Sequence, residues 1–469
     1  MHISALPSGY SIGSFGDGAK RFIDFLSEAG FAYWQVLPFC PPDEFGSPYK
    51  SPTAFGANPL FIDLPILYEK GLITAEELFS ARESSPYLVE YEGLWESRLE
   101  LLMRAAGRIG DRSEIVEYVS RREELDIACR FMALRGERPD APWQELEGLS
   151  ADPEILFLWQ FIQFEFDSQW RDIRAYAGGK GVKIIGDMPI YVSLDSADVF
   201  GHRAEFLLDE RGYPVEVAGV PPDYFAEEGQ LWGNPLYRYT KMKENGYAWW
   251  RSRMRRAAEL FDCVRIDHIR GFESFWSVPS GAKTAKEGRW VKGPGRELID
   301  ALKDEAPETM IIAEDLGDIT DAVRDMVDGC GLPGMRVFQF GFTGDSESHH
   351  LPHNYSKNSV AYSGTHDNNT ILGFVWELDE KTRRRVFDYI CYDGENLDTG
   401  AAFILKNLLL SHSDLVVFPI QDLLLYGADT RMNTPGRAEG NWRYRLTLEQ
   451  LHGLCEKGWR ELLELYGRA

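Results

Sequence analysis

Short apolar runs recur along this chain, and most end abruptly in a polar or acidic residue. Eight of them begin near residues 33, 60, 182, 263, 310, 337, 360 and 416. Each is too short for a stable helix and reads as a buried strand. Helix-period or inserted sequence fills the gaps between them, the shortest lying between 337 and 360. Gly18 to Ala29, for example, places Phe22, Phe25, Leu26 and Ala29 at helical spacing before a terminating Gly30. Eight strand-then-helix units in one chain predict an α/β fold, a (β/α)8 barrel. A doubly wound open sheet is the alternative. It usually brings a Gly-rich phosphate loop after its first strand, and neither GxGxxG nor GxxxxGKS/T stands in a convincing place.

The reading is a single catalytic barrel domain over residues 1–469, with two stretches too long to be simple connections. The first strand is FAYWQVLPF (31–39) and the second is LFIDL (60–64). Residues 66–176 are charged and helical in period, and are expected to form an inserted helical subdomain. Residues 193–248 are rich in Gly, Pro, Tyr and Trp with little periodicity, and are expected to form an inserted loop-rich substrate-binding subdomain. The last 25 residues predict an amphipathic terminal helix.

Composition narrows the function. Hydrophobic residues make up 44% and charged residues 26%, as in a folded globular protein. Asp and Glu number 74 against 50 Lys and Arg, a net charge of −24. That field repels phosphate backbones and anionic lipid, so nucleic acid and membrane partners are not expected. The N-terminus lacks the basic start and apolar run of a signal peptide. The most apolar stretches, 401–410 and 416–428, are broken by Lys406, Asn407 and Asp422. Six widely spaced cysteines without a CxxC pair predict reduced thiols and a cytoplasmic location.

The acids sit at strand ends. Asp187 follows VKIIG, Asp267 follows CVRI, Glu314 follows MIIA and Asp367 follows AYSGTH. In a barrel those ends converge on one pocket. A set of converging carboxylates suits glycosidic bond transfer, in which one acid protonates the leaving oxygen and one carboxylate attacks or stabilises C1. Arg265 lies two residues before Asp267, so on a strand the two side chains share a side. Its guanidinium is expected to lower the pKa of Asp267 and keep it ionised, as a nucleophile requires. Glu314 and Asp315 point to opposite faces; Glu314 is assigned as the general acid and Asp315 is left for a salt bridge or cap. Crowding by other carboxylates would raise the pKa of the acid.

His268 and His366 flank acids in the strings DH and HD. They fit either sugar-hydroxyl recognition or a His–carboxylate metal site. No HxH stands on an early strand, and His349, His350 and His353 fall in a loop where they read as structural or surface residues. No GxSxG elbow supports a serine nucleophile. Aromatic residues crowd two loops. Tyr224, Phe225, Trp232 and Tyr237 stand beside Asp223, Gln230 and Asn234 in residues 221–237, and Tyr49 and Phe55 stand beside Asn58 in residues 47–59. Such loops offer flat faces and polar groups to sugar rings. Thirteen Trp and 21 Tyr exceed what a Leu- and Val-filled core requires.

These segments closely resemble the 4-alpha-glucanotransferases, the amylomaltase or disproportionating enzymes of glycoside hydrolase family 77 in the alpha-amylase superfamily. The matching strings run in family order: SPYKSPTAFGANPLFIDL (47–64), IIGDMPIYVSLDSADVF (184–200), GVPPDYFAEEGQLWGNPLY (219–237), VRIDHIRGFESFW (264–276), IIAEDLG (311–317), GLPGMRVFQF (331–340) and SGTHDNNT (363–370). The resemblance extends to RMNTPGRAEGNWRYR (431–445) and so covers nearly the whole chain.

The resemblance implies a retaining transfer with Asp267 as nucleophile, Glu314 as general acid/base and Asp367 as a third acid that holds sugar hydroxyls and favours the distorted ring. It implies that Arg265, His268 and His366 line the donor subsite and that Asp187, Tyr49 and Trp232 touch donor and acceptor sugars. Residues 223–229 would form a flexible loop over the acceptor side. The implied substrates are maltooligosaccharides and starch- or glycogen-type α-1,4-glucans, with glucose as an acceptor. No organic cofactor and no metal are implied, and the chain looks like a short form without an appended N-terminal carbohydrate-binding domain. Departures are Asn369 where Asp is more common, Arg437 where Thr is more common, and TAFGAN where SAFAGN is usual; none removes a catalytic acid. An alpha-amylase-like retaining hydrolase is the alternative.

Overall fold

Seven of the apolar runs form parallel strands that pair in chain order. The computed structural model describes residues 1–83, 85–222 and 227–469. Its strands among these are β1 (Tyr33–Gln35), β2 (Lys183–Met188), β3 (Glu216–Val220), β4 (Gln230–Pro235), β5 (Cys263–Ile266), β6 (Ser274–Pro279), β7 (Arg289–Lys292), β8 (Met310–Ala313), β9 (Gly334–Val337), β10 (Ser359–Tyr362) and β11 (Leu415–Val417). One sheet has the order β1-β2-β5-β8-β9-β10-β11, every pair parallel. With helices between the strands, this is a (β/α)8 barrel carrying helical and loop insertions.

The expected strand at LFIDL is not formed. Pro59–Phe61 makes a single 3-10 turn and Leu64–Glu69 a short helix. Asn58 accepts from Leu60 N and Asp63 from Ile66 N, so both side chains cap helical turns. Pro59 and Pro65 sit in first turns, where the missing N–H costs nothing. Local capping thus outweighs the apolar run. Where the sheet ends face one another, Trp34 Nε1 donates to Met1 O at 2.7 Å and Leu37 N to His2 Nδ1 at 3.3 Å. A cavity of about 160 Å3 lies there between β1 and β11.

Period-two alternation fills the barrel. Ile185, Cys263, Ile312, Met335, Val337, Val360 and Tyr362 form one buried cluster. Two residues beyond Ile185, Cys263 and Ile312 the same inward parity delivers Asp187, Arg265 and Glu314. The apolar layer is therefore the floor of a polar one.

Outside, the segment between β1 and β2 is mostly helical. Its longest helix, Pro153–Gly179, starts on an Asp152 cap and buries Phe161, Phe166 and Trp170. Phe166 and Trp170 meet Phe15 and Phe39, and Trp170 also meets Phe261; Phe39 and Trp170 stand edge to face with centroids 4.6 Å apart. Such pairs add roughly 0.5–1.5 kcal/mol beyond area burial. Much of the aromatic content expected for ligands is core: Trp34, Trp143, Trp170, Trp249 and Trp250 are fully buried.

Residues 193–248 contain β3 and β4, where the sequence shows little periodicity. They join β6 and β7 in a second, antiparallel sheet of order β4-β3-β6-β7. A register shift between Val217 and Gly219 breaks the alternation that would have signalled β3. The C-terminal residues form two helices, Leu448–His452 and Glu456–Leu465, separated at Gly453. Among the described residues no helix is long and apolar enough to cross a membrane.

Candidate active site

β2, β5, β8 and β10 each deliver a polar group to one space at their C-terminal ends. Arg265 lies at its centre. Its Nη1 donates to both oxygens of Asp187, at 2.7 and 2.8 Å, and its Nη2 stands 3.0 Å from Asp267 Oδ1. Tyr49 OH donates to Asp187 Oδ2 at 2.6 Å. Neighbouring register pairs Asp187 with Arg265, which explains why the first contact is so close. Asp187 is consumed by these partners, and its side chain is wholly buried.

Glu314 is held differently. Backbone N–H groups of His268 and Leu316 donate to its two oxygens at 2.5 and 3.0 Å. The first donor is aimed by an unusual backbone: His268 has φ 48°, the left-handed region that non-Gly residues seldom adopt. Asp315 points the other way, accepting from Met335 N at 2.6 Å and from Arg336 at 3.1 Å, as its place after Glu314 predicted.

The electrostatics separate the two acids. Burial pushes Glu314 well above the usual carboxyl range and Asp267 adds to this, while Arg265 opposes both. Asp267 is also raised, by burial first; Arg265 and His366 pull it back. The expected lowering by Arg265 is present, and desolvation outweighs it. Burial brings His268 down to about 4, so its imidazole is neutral near pH 7. Arg265 rises above its ordinary value because Asp187 and Asp267 more than offset its burial.

His366 stacks on Tyr49, with centroids 5.1 Å apart and planes 14° from parallel. Trp442 lies beside both rings, 5.6 Å from His366 and 6.0 Å from Tyr49. Asp367 is half exposed; its Oδ1 accepts from Asn433 Nδ2 at 2.6 Å and lies 3.3 Å from His366 Nε2. Arg431 donates to the Asp367 carbonyl.

A cleft of about 780 Å3 opens beside Asp267, lined by Tyr49, Tyr191, Trp232 and Asn234 among others. Trp232 is 38% exposed and meets His268 edge to face at 5.1 Å. Asn234 donates to Val192 O at 2.8 Å. Two loop residues expected at the site are elsewhere: Asn58 is buried as a turn cap, and Phe55 is core. Asp223, Tyr224 and Phe225 lie outside the described residues. Residues that the sequence reading passed over are Asn433, Arg431, Trp442 and the His268 N–H. The string 431–445 carries no periodic signal of its own, and a backbone donor leaves none in side-chain chemistry.

The other singled-out residues fall into place. His350 Nδ1 accepts from Val337 N, and His353 bonds Tyr389 OH at 2.8 Å. Among the described residues no group of three or more His, Cys, Asp or Glu could hold a metal ion. Asn369 is buried, its carbonyl accepting from Gln339 Nε2. Arg437 is exposed in a turn tied by Asn441.

Comparison with known proteins shows the family. A glycoside hydrolase family 77 model described as 4-alpha-glucanotransferase matches residues 1–450. A 4-alpha-glucanotransferase of Streptococcus pneumoniae is 39% identical over 491 aligned positions, covering 100% of this chain and 96% of the relative. One of Thermus thermophilus is 40% identical, covering 99% and 98%. The solved structure of an amylomaltase from Streptococcus agalactiae in complex with acarbose superposes with a TM-score of 0.93 at 33% identity, covering 100% and 98%.

Proposed function

The chain belongs to the 4-alpha-glucanotransferases of glycoside hydrolase family 77, enzymes acting on α-1,4-glucans, and from that premise we propose how its residues divide the work. Asp267 attacks C1 of an α-1,4-linked glucosyl unit. Glu314 gives its proton to the departing glycosidic oxygen, the bond breaks, and the reducing-end fragment leaves. A covalent β-glucosyl-enzyme remains. The 4-hydroxyl of an acceptor then enters, Glu314 takes its proton, and the new α-1,4 bond releases Asp267. Since one such bond replaces another, no external energy source is needed.

One contrast carries the assignment: Asp267 has a guanidinium at 3.0 Å that favours its ionised form, whereas burial and the neighbouring Asp267 raise the pKa of Glu314 despite its two backbone donors. Two carboxyls in one site with unequal partners are suited to opposite roles. Asp367 holds sugar hydroxyls, and Tyr49 with His366 forms a flat wall for the donor ring. Trp232 and Asn234 face the acceptor. Residues 66–176 serve as a helical subdomain and 193–248 as the substrate-binding one. Maltooligosaccharides and starch- or glycogen-type glucans are the donors, and glucose or a shorter glucan is the acceptor.

Incubation with pure maltotriose tests transfer against hydrolysis. Transfer predicts glucose together with a ladder of longer oligosaccharides. Glucose and maltose with no longer products would identify a hydrolase using the same acids.

A further inference from the structure

His366 and Asp367 stand on a loop, residues 363–370, between the end of β10 at Tyr362 and the helix that begins at Ile371. Ordering such a loop costs backbone entropy, so contacts must hold it; Asn433 and Gln339 hold its middle and its far end. Asp422, on the short helix Ile420–Leu423 just after β11, is fully buried. Its Oδ2 accepts from Ser363 Oγ at 2.6 Å, and its Oδ1 accepts from Ile371 N at 2.7 Å. Ser363 is the first residue of the loop, and Ile371 is the first residue of the helix that receives it. One carboxylate from the neighbouring strand's loop therefore clasps both ends of the segment bearing the third acid. Burial pushes Asp422 up to about 6, so it remains largely an ionised acceptor for both donors at neutral pH.

We propose that Asp422 is a positioning residue for the transfer reaction, setting the span and direction of loop 363–370 so that Asp367 and His366 meet the donor sugar. It touches no substrate. It acts through Ser363 and Ile371, and its contribution is geometric. The inference rests on the reading of Asp367 as a sugar-holding acid.

The test uses the full chain with maltotriose, following glucose release, alongside near-UV circular dichroism and the thermal midpoint. Asp422→Ala removes both acceptors and is expected to lower kcat about 10–100-fold while KM changes less than about threefold, because a misplacement of about 1 Å can cost that much. Asp422→Asn keeps an oxygen for Ile371 N–H and offers an amide donor to Ser363 Oγ, so it should recover kcat to within about threefold. Ser363→Ala removes one arm and should fall between them. A folded Asp422→Ala enzyme with kcat within twofold of the parent overturns the proposal. So does a folded Asp422→Asn enzyme as poor as the alanine variant. If Asp422→Ala does not fold, Ser363→Ala decides: a reduced kcat supports the proposal and an unchanged one overturns it. Asp367→Asn is the control for the underlying reading. If that variant is fully active, the role of Asp367 is at fault; if it is inactive while Asp422→Ala is active, only the clasp is.

Discussion

Arg265 opposes the burial that raises both catalytic candidates. It is the largest lowering influence on Asp267 and on Glu314, each of which is raised by burial. The sign follows directly. The nucleophile works ionised, so activity is lost as pH falls through the raised pKa of Asp267. The acid works protonated, so activity is lost as pH rises through the raised pKa of Glu314. Replacing Arg265 with Gln should move the acid limb of kcat/KM upward by about 1–3 pH units, the usual effect of losing an adjacent opposite charge. An acid limb that stays in place would show that the guanidinium does not hold Asp267 ionised. The side shared by Arg265 and Asp267 was legible from a two-residue spacing. The balance between the cation and desolvation was not, because burial depends on the whole barrel mouth. Nor could any spacing reveal that His268 would take a left-handed conformation and offer its N–H to Glu314.

Strands are the elements that sequence patterning exposes best, and the barrel strands here carried apolar runs strong enough to be placed. LFIDL carried one too, yet Asn58 and Asp63 cap it into helical turns. The second sheet escaped for the opposite reason: β3 and β4 carry Gly219 and Gly233, and their register shifts between Val217 and Gly219. Within β2 the demand is severe. A Cβ on Gly186 would stand 2.0 Å from the Phe261 ring. Gly186 precedes Asp187, so strand and site share one tight contact. Gly186→Ala should cost about 1–3 kcal/mol by overpacking. It should also lower kcat by displacing Asp187 and, through it, Arg265. Differential scanning calorimetry and maltotriose kinetics measure the two effects; an unchanged midpoint would mean that Phe261 yields freely.

At the scale of the whole molecule, residues up to 393 positions apart are brought around one sugar-sized space, from Tyr49 at one end of the chain to Trp442 near the other. The (β/α)8 pattern made that convergence predictable, while the clasps that complete it, Asn433 on Asp367 and Asp422 on its loop, come from turns with no periodic signal. The net charge of −24 sits on a protein whose substrates are neutral, consistent with recognition by hydrogen bonds and ring faces. The proposed double displacement requires that Asp267 become glycosylated. Glu314→Gln enzyme given an α-glucosyl fluoride, whose leaving group needs no acid, should form the intermediate and stall before transfer. Mass spectrometry of the digested protein is then predicted to find one glucosyl unit on the peptide containing Asp267. A glucosyl unit on another residue, or no adduct together with undiminished transfer by a folded Asp267→Asn variant, would contradict it.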